Sequence, residues 1–307
     1  MVERILLPLD GSPFGERALP YALRLASATG ARLILMHGHA PLVIAKEPDF
    51  DVQAFARRLR DGQVVVPYTA TAGIEIEAVT HDVYMDKVAD GICETIVAQG
   101  ADLVVMSTHG HGGLGRWLYG SVADQVIRQS PVPLVLVPVT CDHIWERSAA
   151  LRIMVPLDGS TFAEEVLDPV GKLASALKAE LLLVGAAGPL EYGYADGVPF
   201  TRSGFDAALK ETNEYLEGVA ARLRAAGQRV TVDAQTGQAG PVIDGIARRR
   251  HVDLIAMATH GRSGMARAAL GSVATEMLHR STVPLLLWHP VALRQTSEPM
   301  AASASAS

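Results

Sequence analysis

Short apolar runs alternate with longer amphipathic stretches along the first half of the chain. The short runs predict buried strands, whereas stretches with apolar residues three and four positions apart predict helices. The predicted strands of this half span residues 4–9, 32–39, 74–80, 102–106 and 132–137. Helices are predicted over residues 12–29, 51–60 and 86–99, and a fourth begins at residue 121. This alternation predicts an α/β fold in which helices cover both faces of a parallel sheet.

The second half of the chain has the same order of elements. Its predicted strands span residues 152–157, 180–186, 228–235, 253–257 and 283–288. Its predicted helices include one ending near residue 177, one over 204–226 and one over 241–250. We therefore expect two domains, copy one (1–140) and copy two (151–290), with a linker at 141–150 and a disordered tail at 291–307.

A glycine-rich loop follows the fourth predicted strand of copy one. The loop begins with a Ser-Thr-His-Gly motif at 107–110, continues through nine residues and ends at Gly120 and Ser121, where a helical pattern starts. We expect Ser121 to be the N-cap of that helix. Backbone N–H groups around such glycines and the positive end of the helix dipole attract anions. Phosphate is the ligand that suits this loop best.

The same loop returns in copy two. An Ala-Thr-His-Gly motif at 258–261 is followed by nine residues and then by Gly271 and Ser272. The two Gly-Ser pairs are 151 positions apart, and so are the two motif histidines. Because one loop length recurs in both copies, a ligand-binding loop is favoured over a glycine-rich turn without a ligand.

These motifs resemble a known family. The Thr-His-Gly motif, the nine residues and the following Gly-Ser-Val-Ala, together with Pro-Leu-Asp-Gly-Ser at 8–12, look like the universal stress protein family in its tandem form. The resemblance covers nearly the whole chain and implies two tandem doubly wound, Rossmann-like domains. Each would be a five-stranded parallel sheet with strand order 3-2-1-4-5. The family's nucleotide signature begins with a glycine, which Ser107 and Ala258 replace here.

The resemblance also implies a ligand, which is an adenine nucleotide, ATP or AMP, accompanied by magnesium. Gly38 and Ala186 would mark the place of the base, and Met106 and Met257 either line that place or fill the core. The site residues that the resemblance implies are Pro8, Asp10, Gly38, Met106, Ser107, Gly110, Gly120, Ser121, Val122, Pro156, Asp158, Ala186, Met257, Ala258, Gly261, Gly271, Ser272 and Val273.

Two aspartates among these residues have two alternative roles. Asp10 and Asp158 end the first strand of each copy, where such sheets bind ligands, so they are candidates to hold ribose hydroxyls or a magnesium ion. They are equally suited to accept hydrogen bonds within the following turn, where Ser12 and Ser160 would cap a helix. The residues alone leave the two roles equal, and the resemblance favours the ligand.

The sequence offers no evident catalytic group. His109 and His260 stand beside the loop glycines, but no serine or cysteine nucleophile occupies a recognisable elbow, so a structural or loop-orienting role is favoured for both histidines. The P-loop motif Gly-Lys-Ser/Thr does not occur, which leaves no obvious lysine to stabilise phosphoryl transfer. We expect a protein that is not an enzyme, with slow ATP hydrolysis as its greatest activity.

Composition narrows the partners and the location. The chain of 307 residues has a net charge of −6, which argues against nucleic acid or an anionic membrane as the main partner. No apolar run approaches the ~20 residues that cross a bilayer. The two cysteines, Cys93 and Cys141, have neither metal-ligand nor redox spacing, so we expect a reduced, cytoplasmic setting.

The expected function is that of a nucleotide-dependent stress sensor or regulatory module with an unknown regulatory protein partner. The alternative is a protein-interaction scaffold with degenerate nucleotide sites, which Ser107 and Ala258 support. The fifth strands are too apolar to remain uncovered, so we expect them to pair within the chain or across a homodimer. Because copy two has the more regular pattern, we expect it to bind adenine nucleotide at least as well as copy one.

Overall fold

The structure is a computed structural model. It describes residues 2–39, 50–67, 69, 71–83, 87–110, 120–141, 144–146, 150–188, 202–259 and 270–288. Within these ranges the strands are β1 (Arg4–Pro8), β2 (Arg32–His39), β3 (Ile76–Asp82), β4 (Leu103–Ser107), β5 (Leu134–Val137), β6 (Arg152–Pro156), β7 (Glu180–Ala187), β8 (Val230–Thr236), β9 (Leu254–Ala258) and β10 (Leu285–Trp288). The helices are α1 (Pro13–Glu16), α2 (Leu19–Thr29), α3 (Val52–Arg60), α4 (Val88–Gln99), α5 (Ser121–Gln129), α6 (Thr161–Glu164), α7 (Leu167–Leu177), α8 (Arg202–Ala225), α9 (Ala239–Arg249) and α10 (Ser272–Arg280).

These strands form one sheet in the order β3-β2-β1-β4-β5-β10-β9-β6-β7-β8. Neighbouring strands are parallel within each copy, and each copy has the order 3-2-1-4-5. The predicted α/β fold and strand order are confirmed. The fifth strands β5 and β10 pair antiparallel, with Leu286 opposite Val135, so their apolar residues cover each other within the chain.

The antiparallel junction determines where the two candidate sites lie. Parallel strands within one copy end at the same edge of the sheet, and the strands of the other copy run in the opposite direction. The carboxyl ends of β1 and β4 therefore lie at one edge, and those of β6 and β9 lie at the opposite edge. Because ligands bind beyond such strand ends, the two copies present their sites at opposite edges of one sheet.

The first helix of each copy is interrupted, which the sequence prediction missed. A single helix was expected over residues 12–29, but the structure has α1 and α2 with a break at Arg17 and Ala18. Pro20 lies in the first turn of α2, and a proline there has no N–H to bond the carbonyl four residues earlier and clashes with it. Copy two repeats the break between α6 and α7, with Pro169 in the first turn of α7.

Two apolar clusters, one on each face of the sheet, run through both copies, and one of them includes the linker. Trp145 is 1% exposed, its ring meets Tyr21 edge-on at 5.0 Å, and its Nε1 donates to the carbonyl of Asp253 at 2.9 Å. Tyr21 belongs to α2 of copy one, whereas Asp253 precedes β9 of copy two. The linker therefore packs against both copies instead of only joining them.

The domain bounds at 1–140 and 151–290 stay a prediction, and the predicted tail at 291–307 lies outside the described residues. Among the helices that the structure describes, none is long and apolar enough to cross a membrane.

Candidate nucleotide site

Asp10 and Gly110 meet at the edge of the sheet because β1 and β4 are neighbours, with Ile5 opposite Leu103. Asp10 follows β1, and Gly110 lies three residues beyond the end of β4. A Cβ atom at Gly110 would lie 2.1 Å from Asp10 Oδ2, so any side chain at this position would overlap the carboxylate. The glycine is needed for space, and its backbone lies directly against the carboxyl group. We define site one as Asp10, residues 107–110 and residues 120–122.

Asp10 also organises its own turn. Its Oδ1 accepts hydrogen bonds from the backbone N of Ser12 at 3.0 Å and from Ser12 Oγ at 2.7 Å. Ser12 Oγ in turn accepts from the backbone N of Gly15 at 3.0 Å and caps α1. Gly11 supplies the tight turn with a φ of +78°, which few other residues adopt.

Copy two builds the same turn. Asp158 Oδ1 accepts from Ser160 N at 2.9 Å and from Ser160 Oγ at 2.6 Å, and Ser160 caps α6 through Ala163. The turn-capping role that the sequence left open is therefore real for both aspartates. The bonds within the turn use Oδ1 of each aspartate, whereas Oδ2 of Asp10 faces the backbone of Gly110. We define site two as Asp158, residues 258–259 and residues 271–273.

Gly120 and Gly271, not the serines after them, are the N-caps of α5 and α10. The expectation that Ser121 caps its helix is wrong, because Ser121 and Ser272 already have helical geometry as first residues. The N–H of Gly120 donates to the carbonyl of Thr108 at 2.7 Å, which closes the loop on itself. The matching bond of Gly271, to the carbonyl of Thr259, is 2.8 Å. Both amides are thus used within the protein instead of being offered to a ligand.

The donors that remain are in the first turns of the two helices. The first N–H groups of a helix have no acceptor within it, and a glycine N-cap has no side chain to supply one. In α5 these groups belong to Ser121, Val122 and Ala123, and in α10 to Ser272, Val273 and Ala274. Together with the helix dipole they form an anion-attracting end in each copy.

Ser107 and Ala258, which replace the first signature glycine, end β4 and β9 in extended conformation. Among described residues other than glycine, positive φ values occur at Lys178 and His251. Neither replacement therefore strains the backbone. Ser107 Oγ accepts weakly from the backbone N of His109 at 3.4 Å.

His109 is buried within this loop. The residue is 7% exposed, and its Nδ1 lies 3.0 Å from Thr108 Oγ1. Its Nε2 is also buried, and it has no hydrogen-bond partner among the residues described. A buried polar atom of this kind needs a water or a ligand to complete its bonding.

The wall beside site one is aromatic, and sequence reasoning missed it. Phe50 touches the turn, since a Cβ at Gly11 would lie 2.8 Å from its ring. The Phe50 ring meets His37 at 5.4 Å and Phe55 at 5.5 Å, and His37 Nδ1 lies 2.9 Å from the Leu9 carbonyl oxygen. The sequence does contain a local signal for these rings. Phe50 precedes Asp51, the N-cap of α3, and Phe55 is the fourth residue of that helix, so the two have the spacing of a hydrophobic staple.

Copy two has a helix where copy one has these rings. Gly185 occupies the position of His37, and a Cβ there would lie 2.4 Å from Thr212 Cγ2 and 3.1 Å from Leu216 Cδ1 of α8. Tyr215 of the same helix donates its hydroxyl proton to Glu164 Oε1 at 2.9 Å. Burial, and then this bond to the carboxylate, raise the pKa of Tyr215.

Glu164 and its copy-one counterpart, Glu16, have different surroundings. Arg222 of α8 donates to Glu164 Oε2 at 2.6 Å, so that carboxylate joins α6 to α8. Burial raises the pKa of Glu16, the charge of Arg58 opposes the rise, and the charge of Asp10 adds to it. The charge of Asp10 in site one therefore acts on the Glu16 carboxyl group.

Comparison with known proteins agrees with this architecture. The model of the universal stress protein family matches residues 1–138 and 150–289. The chain belongs to the universal stress protein family. A universal stress protein of Thermus aquaticus is 33% identical over 138 residues, which cover 45% of this chain and 99% of that protein. One of Mycolicibacterium smegmatis is 24% identical over 305 residues, covering 93% of this chain and 97% of that one.

Solved structures agree on the fold. The crystal structure of a universal stress protein from Archaeoglobus fulgidus superposes with a TM-score of 0.63 at 20% identity. The superposition covers 92% of this chain and 97% of that one.

In this universal stress protein, the implied site residues fall into two groups. Those at or just beyond strand ends are Pro8, Asp10, Gly38, Met106, Ser107, Gly110, Pro156, Asp158, Ala186, Met257 and Ala258. Those at helix starts are Gly120, Ser121, Val122, Gly271, Ser272 and Val273. Gly38 faces Val83 and Val88, while Met106 and Met257 are buried core side chains. Gly261 and His260 lie outside the described residues.

Proposed function

We propose that this universal stress protein binds an adenine nucleotide in each copy and serves as a nucleotide-dependent stress sensor or regulatory module. The observation that carries the proposal is the contact between Asp10 and Gly110 beside the uncapped start of α5. It combines a carboxylate that suits ribose or magnesium with amides that suit phosphate, in the place where this fold binds ligands.

The described residues fit a nucleotide in two respects. Because Gly110 has no side chain, its backbone lies directly against the Asp10 carboxylate, and a ligand held by the loop would lie beside that carboxylate. The buried Nε2 of His109 has hydrogen-bonding capacity that the described residues do not use. Ser121 and Val122 would hold phosphate in site one, with Asp10 holding ribose or magnesium. Ser272, Val273 and Asp158 would do the same in site two.

We further propose that the protein performs little or no catalysis. Among the residues that the structure describes, site one contains the side chains of Asp10, Ser107, Thr108, His109, Ser121 and Val122, and the sequence has no P-loop lysine. Such a set is suited to holding a nucleotide more than to transferring its phosphate. A cytoplasmic location and an unidentified regulatory protein partner belong to the same proposal. A homodimer would have to use a surface other than β5 and β10, which already pair within the chain.

Scaffolding without a nucleotide is the second candidate. It is favoured by the bonds of the Gly120 and Gly271 amides to Thr108 and Thr259, which remove two donors that a phosphate would use. The two candidates differ in one observable, which is the nucleotide content of the purified protein.

The test combines mass spectrometry of the copurifying ligand with titration calorimetry using ATP and AMP. Gly110→Ala should weaken binding at site one by at least about tenfold, because its Cβ would displace the Asp10 carboxylate. Gly218→Ala is the matched control, since a Cβ at Gly218 has no atom within 4 Å. A wild-type protein that binds neither nucleotide would support the scaffold.

A further inference from the structure

A cavity between the two copies lies outside both candidate nucleotide sites. Its volume is about 820 Å³, and pockets that hold small molecules measure roughly 300–1,000 Å³. Helix α2 of copy one forms one side of the cavity, and the end of α7 together with the turn between α8 and β8 forms the other. Ala150 of the linker also contributes to the lining. None of the described lining residues belongs to site one or site two.

The described lining of this cavity is basic. It contains the cations Arg24, Lys178 and Arg229 and no aspartate or glutamate, in a chain whose net charge is −6. Alanines supply much of the remaining surface, and Ser175 and Gln228 add neutral polar groups. Clefts lined by charges of one sign concentrate ligands of the opposite sign. The lining therefore favours an anion that also has an apolar part.

Lys178 and Arg229 stand together on the copy-two side of the cavity. A guanidinium nitrogen of Arg229 donates to the carbonyl of Lys178, which joins the turn before β8 to the end of α7. Both residues are exposed. No ion pair among the described residues includes either of them. Their charges are therefore available to an anion in the cavity.

Lys178 also holds a backbone conformation that favours glycine. It is the C-cap of α7 with a φ of +53°, whereas the corresponding C-cap of α2 is Gly30 with a φ of +73°. Glycine ends a helix in this conformation without the strain that a side chain brings. Strained backbone of this kind is concentrated at functional sites. The end of α7 alone therefore does not explain why a lysine stands there.

The repeat shows that the fold does not require these cations. Glu75 precedes β3 as Arg229 precedes β8, so the position that is basic in copy two is acidic in copy one. Lys172 is the sixth residue of α7 as Arg24 is of α2, and Lys172 Nζ lies 2.7 Å from the carboxylate of Asp168. The set of cations that lines the cavity is thus not repeated at the corresponding positions.

We propose that this cavity binds a small organic anion with at least two carboxylate or phosphate groups, held by Lys178 and Arg229 on one side and by Arg24 on the other. Arginine and lysine both bind either kind of group. Because such a ligand contacts both copies, its binding holds α2 against α7, which already pack together. The proposal does not depend on nucleotide binding at site one or site two.

Calorimetry on the full chain at low ionic strength tests the proposal, with citrate and pyrophosphate as titrants. Lys178→Gly removes one charge and introduces the residue that copy one has, so it should bind the anion about tenfold more weakly without a loss of thermal stability. Lys178→Arg keeps the charge and should bind within about twofold of wild type. Lys172→Gln is the matched control, because it removes a charge from the same helix outside the cavity.

A binding component that weakens in Lys178→Gly and persists in the other two variants supports the proposal. Its presence with citrate alone identifies carboxylates as the bound groups, and its presence with pyrophosphate alone identifies phosphates. Equal binding by wild type and Lys178→Gly overturns the proposal, and so does an equal loss in Lys172→Gln, which indicates a general effect of net charge. A hexaglutamate peptide that binds where both small anions fail assigns the cavity to a protein partner and overturns the small ligand.

Discussion

The two copies share a polar frame and differ in the wall beside it. In both, an aspartate accepts from a serine that caps the next helix, and a glycine N-cap bonds a threonine carbonyl. Beside site one stand the rings of Phe50 and His37, whereas beside site two stands α8 with Thr212 over Gly185. The frame is made by strand ends and short loops, while the wall is made by the connection between the second and third strands, which differs between the copies.

The difference extends to charge. Glu164 is bonded by Tyr215 and Arg222, which hold α6 to α8. Glu16 has instead a carboxyl pKa that burial raises, with Arg58 opposing and Asp10 adding. In copy two, hydrogen bonds from α8 thus hold the Glu164 carboxylate, whereas in copy one burial and nearby charges act on the equivalent carboxylate of Glu16.

The largest effect should come from filling the glycine beneath α8. Gly185→Ala places a Cβ 2.4 Å from Thr212 Cγ2 and should cost about 1–3 kcal/mol of unfolding free energy, because α8 must shift. A contrasting glycine of the same strand pair, Gly38 in copy one, corresponds to Ala186 and not to Gly185, and Gly38→Ala places its Cβ 3.4 Å from Val83, an ordinary contact. It also introduces the alanine that copy two already has at Ala186, and should leave stability unchanged or raise it by up to about 1 kcal/mol.

Denaturant melts of both variants measure this difference. Equal losses at the two positions would mean that α8 does not crowd Gly185, contrary to the structure.

A smaller effect is expected from Tyr215→Phe. The change removes the hydroxyl that donates to Glu164 at 2.9 Å and leaves that carboxylate to Arg222. The loss should be about 1–2 kcal/mol, measured by urea unfolding, because a hydrogen bond to a charged group is broken. A stability equal to that of wild type would show that the network does not hold α8.

Glu16→Gln should have the smallest effect and a defined dependence on pH. The pKa of Glu16 is raised from its ordinary value of 4.5 on folding, so its contribution to stability is present below pH 4.5 and is lost as pH rises through the folded-state pKa. Glutamine does not ionise, so the variant does not lose this contribution to stability as pH rises. The variant should therefore gain slightly over wild type at pH 7 and not at pH 4.

Thermal melts across this range provide the measurement, with Glu164→Gln as the contrasting variant. That variant weakens the pair with Arg222 and should lose stability at pH 7. A gain for Glu164→Gln would remove the contrast between the copies.

The sequence predicted the frame of strand ends and short loops better than it predicted the wall that the connection between the second and third strands forms. Alternating apolar runs predicted the α/β fold, and the resemblance to the family implied the strand order. The apolar fifth strands predicted that β5 and β10 pair within the chain or across a homodimer, and the structure pairs them within the chain. Serine is a common N-cap, which predicts Ser121 as the cap, but the extended backbone of Gly120 and the bond from Asp124 N–H to the Gly120 carbonyl place the cap one residue earlier.

The contacts of Phe50 and Tyr215 could not be predicted in the same way. They join segments far apart in sequence, and no repeat between the copies marks them. Only the staple of Phe50 with Phe55 was visible locally.

The central claim is that the helix starts of the two copies hold nucleotide phosphate. A crystal structure of the full chain with ATP and magnesium tests it most directly. We predict phosphate oxygens at about 3 Å from the backbone nitrogens of Ser121 or Val122 and of Ser272 or Val273, with the carboxylates of Asp10 and Asp158 beside the ribose or the metal. Nucleotide bound away from these helix starts, or no nucleotide bound, would contradict the account.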